Sequence, residues 1–96
     1  MKYFFVEEAE EELFNTVEYY EEIQPGLGLK FAEEIYAAVE RIRQAPEAWT
    51  KLDIKTRRCL LNKFPFALLY RCVNKHIQIM AVMNLNRKPG YWSDRK

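Results

Sequence analysis

The sequence predicts an α+β domain of order β-α-α-β-β-β, in which an N-terminal helical hairpin covers one face of a small, mainly antiparallel sheet. Three observations carry this prediction. A short aromatic run opens the chain, two amphipathic helical segments follow across a four-residue connection, and apolar strand-like runs fill the second half. The chain has 96 residues, 49% of them hydrophobic, which is the size and composition of a single globular domain, 1–96.

The first half of the chain predicts one strand and two helices. Residues 2–6 are aromatic and β-branched without breakers, as in a strand. A helix begins at Glu7, with acidic side chains crowding its first turn, where the helix dipole favours them. The acidic run 7–12 is interpreted as a solvated helix start rather than a metal cluster. The apolar face of this helix comprises Ala9, Leu13, Val17 and Tyr20.

The segment 25–28, Pro-Gly-Leu-Gly, ends the first helix as a tight connection. The second helix is predicted from Leu29 to Gln44, before Ala45-Pro46. Its apolar positions recur at spacings of three and four residues, so the two helices should form an antiparallel hairpin. The repeating positions are Ala32, Ile35, Val39 and Ile42, flanked by Phe31 and Tyr36.

The second half predicts three strands, over 56–61, 66–73 and 76–83, with Pro65 separating the first two and Asn74-Lys75 as the last turn. The third strand alternates Ile77, Ile79, Ala81 and Met83 with the half-polar set His76, Gln78, Met80 and Val82. This pattern predicts that the second face is partly open to water. Because a hairpin covers only one face of a sheet, the other face should be exposed or covered by a partner.

The net charge of +1 conceals two opposite halves. Residues 1–48 carry 4 Lys or Arg and 12 Asp or Glu, giving −8, whereas residues 49–96 carry 11 Lys or Arg and 2 Asp, giving +9. The basic half is therefore where an anionic partner would dock. The sequence contains neither a membrane-length apolar stretch nor a signal peptide, so we expect a cytoplasmic protein without membrane contact.

The two cysteines and one histidine do not predict a metal or a cofactor. They cannot supply four zinc ligands, so no metal site is expected. Cys59 and Cys72 are interpreted as two small buried hydrophobes, with a redox pair as the alternative. His76 begins a strand beside a turn and is interpreted as exposed or structural, with general acid–base chemistry as the alternative.

Three segments together resemble one known family. The run 57–70 joins a basic pair through a Phe-Pro-Phe corner to a strand ending in Tyr, and it resembles the strand pair of RelE/ParE-type toxins. The run 86–92, Asn-Arg-Lys-Pro-Gly-Tyr-Trp, resembles the closing segment of that family. Glu-Tyr-Tyr-Glu at 18–21, followed by 25–28 and Phe31, resembles its helical hairpin. The likeness covers essentially the whole chain and implies a bacterial type II toxin held inactive by a cognate antitoxin.

The resemblance leaves two mechanisms, since RelE-like members cleave messenger RNA on the ribosome and ParE-like members poison DNA gyrase. By position, Arg58, Arg87 and Tyr91 match the ribonuclease site, but Leu60 and Ala67 stand where that branch places cations. The ParE-like branch is therefore favoured, with a reduced ribonuclease site at Arg58, Arg87 and Tyr91 as the alternative. A non-toxic member that survives as an interaction partner is a third possibility.

The resemblance also implies partners. A cognate antitoxin should bind through an amphipathic, partly disordered segment and form a hetero-oligomer with the toxin. DNA gyrase, or the ribosome with its message, would be the target, and growth inhibition would be the outcome. The residues expected to bind target or antitoxin are Arg57, Arg58, Arg71, Arg87, Lys88, Tyr91 and Trp92. Adjacent strand residues point to opposite faces, so one member of the pair Arg57-Arg58 should reach the open face while the other pairs with helix carboxylates.

Overall fold

The structure is a computed structural model that describes residues 1–88 and 90–95. Two helices and a five-stranded sheet form the α+β fold predicted from the sequence. The sheet has the order β1-β5-β4-β3-β2, in which β1 runs parallel to β5 and the other pairs are antiparallel. The elements are β1 (Lys2–Phe5), α1 (Glu7–Ile23), α2 (Leu27–Gln44), β2 (Thr50–Lys51), β3 (Arg57–Leu60), β4 (Phe66–Val73) and β5 (His76–Asn84).

The helical hairpin is close-packed at its turn. Gly26 takes the left-handed conformation, with φ of 89°, and α2 begins directly after it, two residues earlier than predicted. A Cβ on Gly28 would lie 2.6 Å from the carbonyl oxygen of Val17, so only glycine permits this approach of the helices. The Glu21 carboxylate accepts hydrogen bonds from the N–H groups of Gly26 and Gly28, which satisfies the open start of α2. No helix in the described part of the chain is both long and apolar enough to span a bilayer.

Two features of the sheet differ from the sequence prediction. The pair Thr50–Lys51 forms an extra edge strand against β3, too short for its alternation to be read from sequence. In β5, the register passes from Tyr70 opposite Ile79 to Leu69 opposite Ala81, so Met80 is an extra residue in a β-bulge. The alternation predicted for 76–83 is therefore correct only up to Ile79.

The sheet face away from the helices is partly covered, contrary to the expectation that it stays open or awaits a partner. Phe66 packs on Phe31 of α2, so Ala67 and Leu69, which alternate with it along β4, point to the opposite face. Both are fully buried, as is Ala81, the cross-strand partner of Leu69 in β5. Trp92 of the C-terminal tail (90–95) belongs to the same buried cluster. The chain therefore covers part of this face with its own tail.

Candidate functional site

Arg87 and Tyr91 come together at one edge of the sheet. The Arg87 guanidinium carbon lies 4.0 Å from the centroid of the Tyr91 ring, a cation–π geometry. Both side chains line a cavity of about 520 Å³ between α1 and the end of β5. Tyr19, Tyr20 and Phe66 supply aromatic walls to this cavity, and Glu12, Asn15, Thr16 and Asn84 supply polar groups.

Glu12 fastens the C-terminal tail to α1. Its Oε2 accepts hydrogen bonds from the Tyr91 hydroxyl at 2.9 Å and from Arg95 Nη2 at 2.9 Å. Its Oε1 accepts from Arg95 Nη1 at 2.7 Å and from the Val82 N–H at 3.0 Å. Arg95 also donates to the Met80 carbonyl oxygen at 3.0 Å. We call Glu12, Tyr91 and Arg95 the Glu12 cluster.

The Glu12 cluster also closes an open sheet edge. Strand β1 pairs with β5 only as far as Ile79, whose carbonyl accepts from the Val6 N–H. Beyond that point the Met80 carbonyl and the Val82 N–H would face a missing neighbour strand. Instead, the Arg95 side chain donates to the Met80 carbonyl oxygen and the Glu12 side chain accepts from the Val82 N–H. The tail is therefore an integral part of the sheet edge.

The Tyr91 hydroxyl is a poor proton donor for chemistry. Burial raises the pKa of Tyr91 well above its ordinary value, and the hydrogen bond to the Glu12 carboxylate and its negative charge raise the pKa further. The hydrogen bond to Glu12 likewise raises the pKa of Arg95. Efficient general-acid catalysis needs a pKa close to the operating pH. A Tyr91 proton held by Glu12 is therefore unsuited to protonating a leaving group.

An alkaline titration should reveal these tyrosines. Burial raises the pKa of both Tyr70 and Tyr91, so the fold favours their neutral forms. Their stabilising contribution is complete below about pH 10, the ordinary pKa, and is lost as the pH rises through the folded pKa. Tyrosinate absorbance should therefore rise at higher pH in the folded chain than in urea. Tyr70→Phe and Tyr91→Phe should each reduce the part of the absorbance that appears only at this higher pH. Coincident titrations of the folded and unfolded chains would refute this assignment.

Arg58 lies apart from Arg87 and Tyr91. It lines a second cavity of about 510 Å³ with Arg41, Trp49, Thr50, Leu60, Leu61 and Asn62. The strand register places Arg58 opposite Leu69, and the next pair on that face is Leu60 opposite Ala67. Leu60 is 44% exposed and Ala67 is fully buried, so neither of the positions expected to carry cations in a ribonuclease offers a charge to a phosphate.

Three of the other residues predicted to bind a partner make contacts within the chain instead. Arg57 Nη1 donates to the Trp49 carbonyl oxygen at 2.8 Å, rather than to a helix carboxylate as expected. Arg71 is only 8% exposed, and its Nε donates to Thr56 Oγ1 at 2.9 Å. Trp92 is 7% exposed. In this conformation Arg71 and Trp92 are not available for the direct contacts predicted for them.

Lys88 and Arg87 are exposed, whereas Pro89 of the closing segment lies outside the described residues. His76 is exposed, with Nδ1 at 2.9 Å from the Asn74 carbonyl oxygen, in agreement with the structural interpretation. Among the described residues, no group of three or more His, Cys, Asp or Glu side chains is placed to hold a metal ion.

The cysteines behave differently from each other. Cys59 is buried as predicted, but Cys72 is exposed, so the expectation of two buried thiols is wrong for Cys72. Cys59 lies opposite Leu68, and Cys72 stands four residues further along β4. At about 3.3 Å per strand residue this separation is roughly 13 Å, too far for a disulfide. Burial raises the pKa of the Cys59 thiol, and partial desolvation by neighbouring atoms raises the pKa of the Cys72 thiol although that residue is exposed, so neither is an activated thiolate.

Glu12 is the residue that the sequence interpretation missed, because it sits in an acidic run assigned to solvent. The signal was nevertheless present in the helical spacing. Glu12 follows Ala9 by three residues and precedes Thr16 by four, which places it beside the buried face of α1. Arg95 carries no comparable signal, since it lies in an irregular tail.

Comparison with known proteins rests on structure. No protein-family model matches the sequence, and no curated protein matches it. A solved structure described as the chromosomal ParDE TA (toxin–antitoxin) system from P. aeruginosa contains a chain that superposes with a TM-score of 0.77 at 22% sequence identity. The match covers 90% of this chain and 97% of that chain. The two chains share one fold. The fold resemblance inferred from the three sequence segments is thereby confirmed.

Proposed function

We propose that this chain is the toxin of a type II toxin–antitoxin pair, and that it acts by binding and inhibiting a cellular target, with DNA gyrase as the favoured target. The likeness to a chain of a ParDE TA system supports the general class. The observation that supports binding over RNA cleavage is the placement of the candidate catalytic groups. Arg58 lines a different cavity from Arg87 and Tyr91, and Glu12 holds the Tyr91 proton.

Cleavage of RNA without a metal requires activation of the 2′-hydroxyl, stabilisation of a charged phosphorane and protonation of the leaving oxygen. Leu60 and Ala67 cannot stabilise an anion. Arg87 is the cation that lines the cavity with Tyr91, and the Glu12 carboxylate in the same cavity is already bound by Arg95 and by the Tyr91 hydroxyl. These features together disfavour catalysis.

A RelE-like ribonuclease is the second candidate. The observation that favours it is the direct stacking of Arg87 on Tyr91 beside an aromatic-walled cavity, since aromatic faces and arginine are suited to holding an unpaired base and its phosphate. In that case the message would enter the cavity beside α1, and Arg87 would provide the cation.

A cognate antitoxin is the proposed partner in either case. It would bind as an amphipathic segment that folds on the surface of the toxin, and its acidic groups would complement the basic half of the chain. The toxin and antitoxin would form a hetero-oligomer in the cytoplasm.

Two assays separate the candidates. We expect micromolar purified chain to inhibit supercoiling by DNA gyrase and to leave ribosome-bound message intact. Message cleavage that Arg87→Ala abolishes would establish the ribonuclease instead. Lys75→Ala, which changes an exposed cation in the β4–β5 turn, is the matched control. Normal growth after induction without an antitoxin would indicate the non-toxic member.

A further inference from the structure

The loop between β2 and β3 presents an apolar side chain to solvent. Ile54 is 92% exposed, the largest value among the exposed large hydrophobic residues of the described chain, and Leu52 beside it is 39% exposed. Exposed lysines, Lys51 and Lys55, flank these two residues. Isolated apolar surface residues are common, but a pair at a projecting loop between two cations is a distinct feature.

Hydrogen bonds define the shape of this loop. Asp53 Oδ1 accepts from the N–H groups of Lys55 at 2.9 Å and of Thr56 at 2.7 Å. The Leu52 N–H donates to the Thr56 carbonyl oxygen at 2.8 Å. The hydrogen bond from the Lys55 N–H is the main reason that the pKa of Asp53 lies below its ordinary value. A charged Asp53 thus closes a short turn that holds Ile54 outward.

The base of the loop is anchored in the core. Thr56 is fully buried, and its hydroxyl oxygen accepts from Arg71 Nε at 2.9 Å. The Arg71 guanidinium carbon in turn lies 6.0 Å from the Trp92 ring. The buried Arg71 thereby joins the loop to the C-terminal tail. A loop anchored in this way loses little conformational entropy when a partner binds it.

We propose that residues 51–55 form a docking tip that inserts Ile54 into an apolar pocket on a folded protein target whose rim carries carboxylates for Lys51 and Lys55. This inference rests on the proposed function, because it assigns the contact through which the chain holds its target. Because the Ile54 side chain is 92% exposed, a partner can bury it only by offering a concave site. The charges at 51 and 55 require an acidic rim.

Other occupants fit less well. A nucleic acid would use the two lysines, but it would gain nothing from the exposed apolar side chain of Ile54. An antitoxin segment that is disordered when free offers a ridge rather than a pocket. A second copy of this chain could offer the cavity lined by Leu27, Ala37 and Phe64 with Glu33 and Glu34. Lys30 and Lys63 also line that cavity and would repel the lysines of the tip.

The test compares Ile54→Ser with Leu29→Ser in the full chain, since Leu29 is 64% exposed on α2 and serves as the matched control. Both variants should keep the thermal midpoint of the parent. We expect Ile54→Ser to raise the concentration that half-inhibits purified gyrase about 30-fold, as loss of an interface hot spot does, and to relieve growth arrest after induction. Leu29→Ser should retain parental potency in both assays.

The outcomes separate the two proposals. Undiminished inhibition and growth arrest by Ile54→Ser would overturn the docking tip and leave the proposed function standing. If the parent chain arrests growth without inhibiting gyrase, only gyrase is excluded as the target. Relief of that growth arrest by Ile54→Ser would then support the docking tip, and undiminished arrest would overturn it. A parent chain inactive in both assays would end both proposals. DNA binding or self-association that accounts for the inhibition would also overturn the tip.

Discussion

Replacement of Glu12 by glutamine is expected to lower the free energy of unfolding by about 3 kcal/mol, at the lower end of the range for breaking a buried ion pair. The Glu12 carboxylate accepts four hydrogen bonds, two of them from Arg95. Only 17% of the Glu12 side chain and 13% of the Arg95 side chain are exposed, so water replaces the lost contacts poorly. Glutamine leaves the Arg95 cation without a counter-charge and turns an N–H₂ donor toward groups that are donors themselves.

Urea denaturation of the parent and of Glu12→Gln measures this effect. Glu11→Gln is the matched control, because Glu11 is its exposed neighbour on α1 and its change should stay within about 0.5 kcal/mol. The double variant Glu12→Gln with Arg95→Met should be more stable than the sum of the single effects predicts, since the unpaired cation is removed. Equal stability of Glu12→Gln and Glu11→Gln would mean that the Glu12 cluster does not hold the tail.

The helical hairpin was predictable from the sequence because several local signals agree there. Acidic residues at the start of α1, a repeat of three and four residues, and Pro-Gly at 25–26 all indicate the same boundaries. The start of α2 was placed two residues late, since Leu27 follows directly on the left-handed Gly26 and the periodic pattern alone does not show it.

The bulge in β5 could not be predicted in the same way. The continuous apolar run 79–83 fits either alternation, and the extra residue is revealed only by the partner strand. The bulge turns Ala81 and Val82 to the faces opposite to those predicted, so their placement depends on the non-local pairing with β4.

The candidate site shows the same division. The pairing of Arg87 with Tyr91 was predictable because both residues lie in one short segment that carries the family resemblance. The roles of Arg71 and Glu12 were not, since each depends on a partner far away in the sequence. Arg71 bonds to Thr56, and Glu12 bonds to Arg95 across 83 residues. Charge composition alone does not show which cations of the basic half are buried, as Arg71 is.

The aromatic cluster between the hairpin and the sheet should be the other large contributor to stability. Phe31 is fully buried, and its ring centroid lies 5.0 Å from Phe66, 5.1 Å from Phe64 and 5.4 Å from Tyr20. The contacts with Phe64 and Phe66 are edge-to-face, an arrangement that stabilises beyond the area buried. This cluster fixes the Phe-Pro-Phe corner, and with it one wall of the cavity that Arg87 and Tyr91 line.

Phe31→Ala is therefore expected to lower the free energy of unfolding by about 4 kcal/mol, since it removes a large buried ring and leaves a cavity. For a domain of this size, that loss approaches half of a typical total stability of about 5–15 kcal/mol and should lower the thermal midpoint by about 20 °C. Phe31→Leu keeps most of the volume and should cost roughly 1 kcal/mol. Phe14→Ala is the control, because Phe14 is 57% exposed on α1. A cost for Phe31→Ala no larger than that for Phe14→Ala would show that the hairpin is held to the sheet by other contacts.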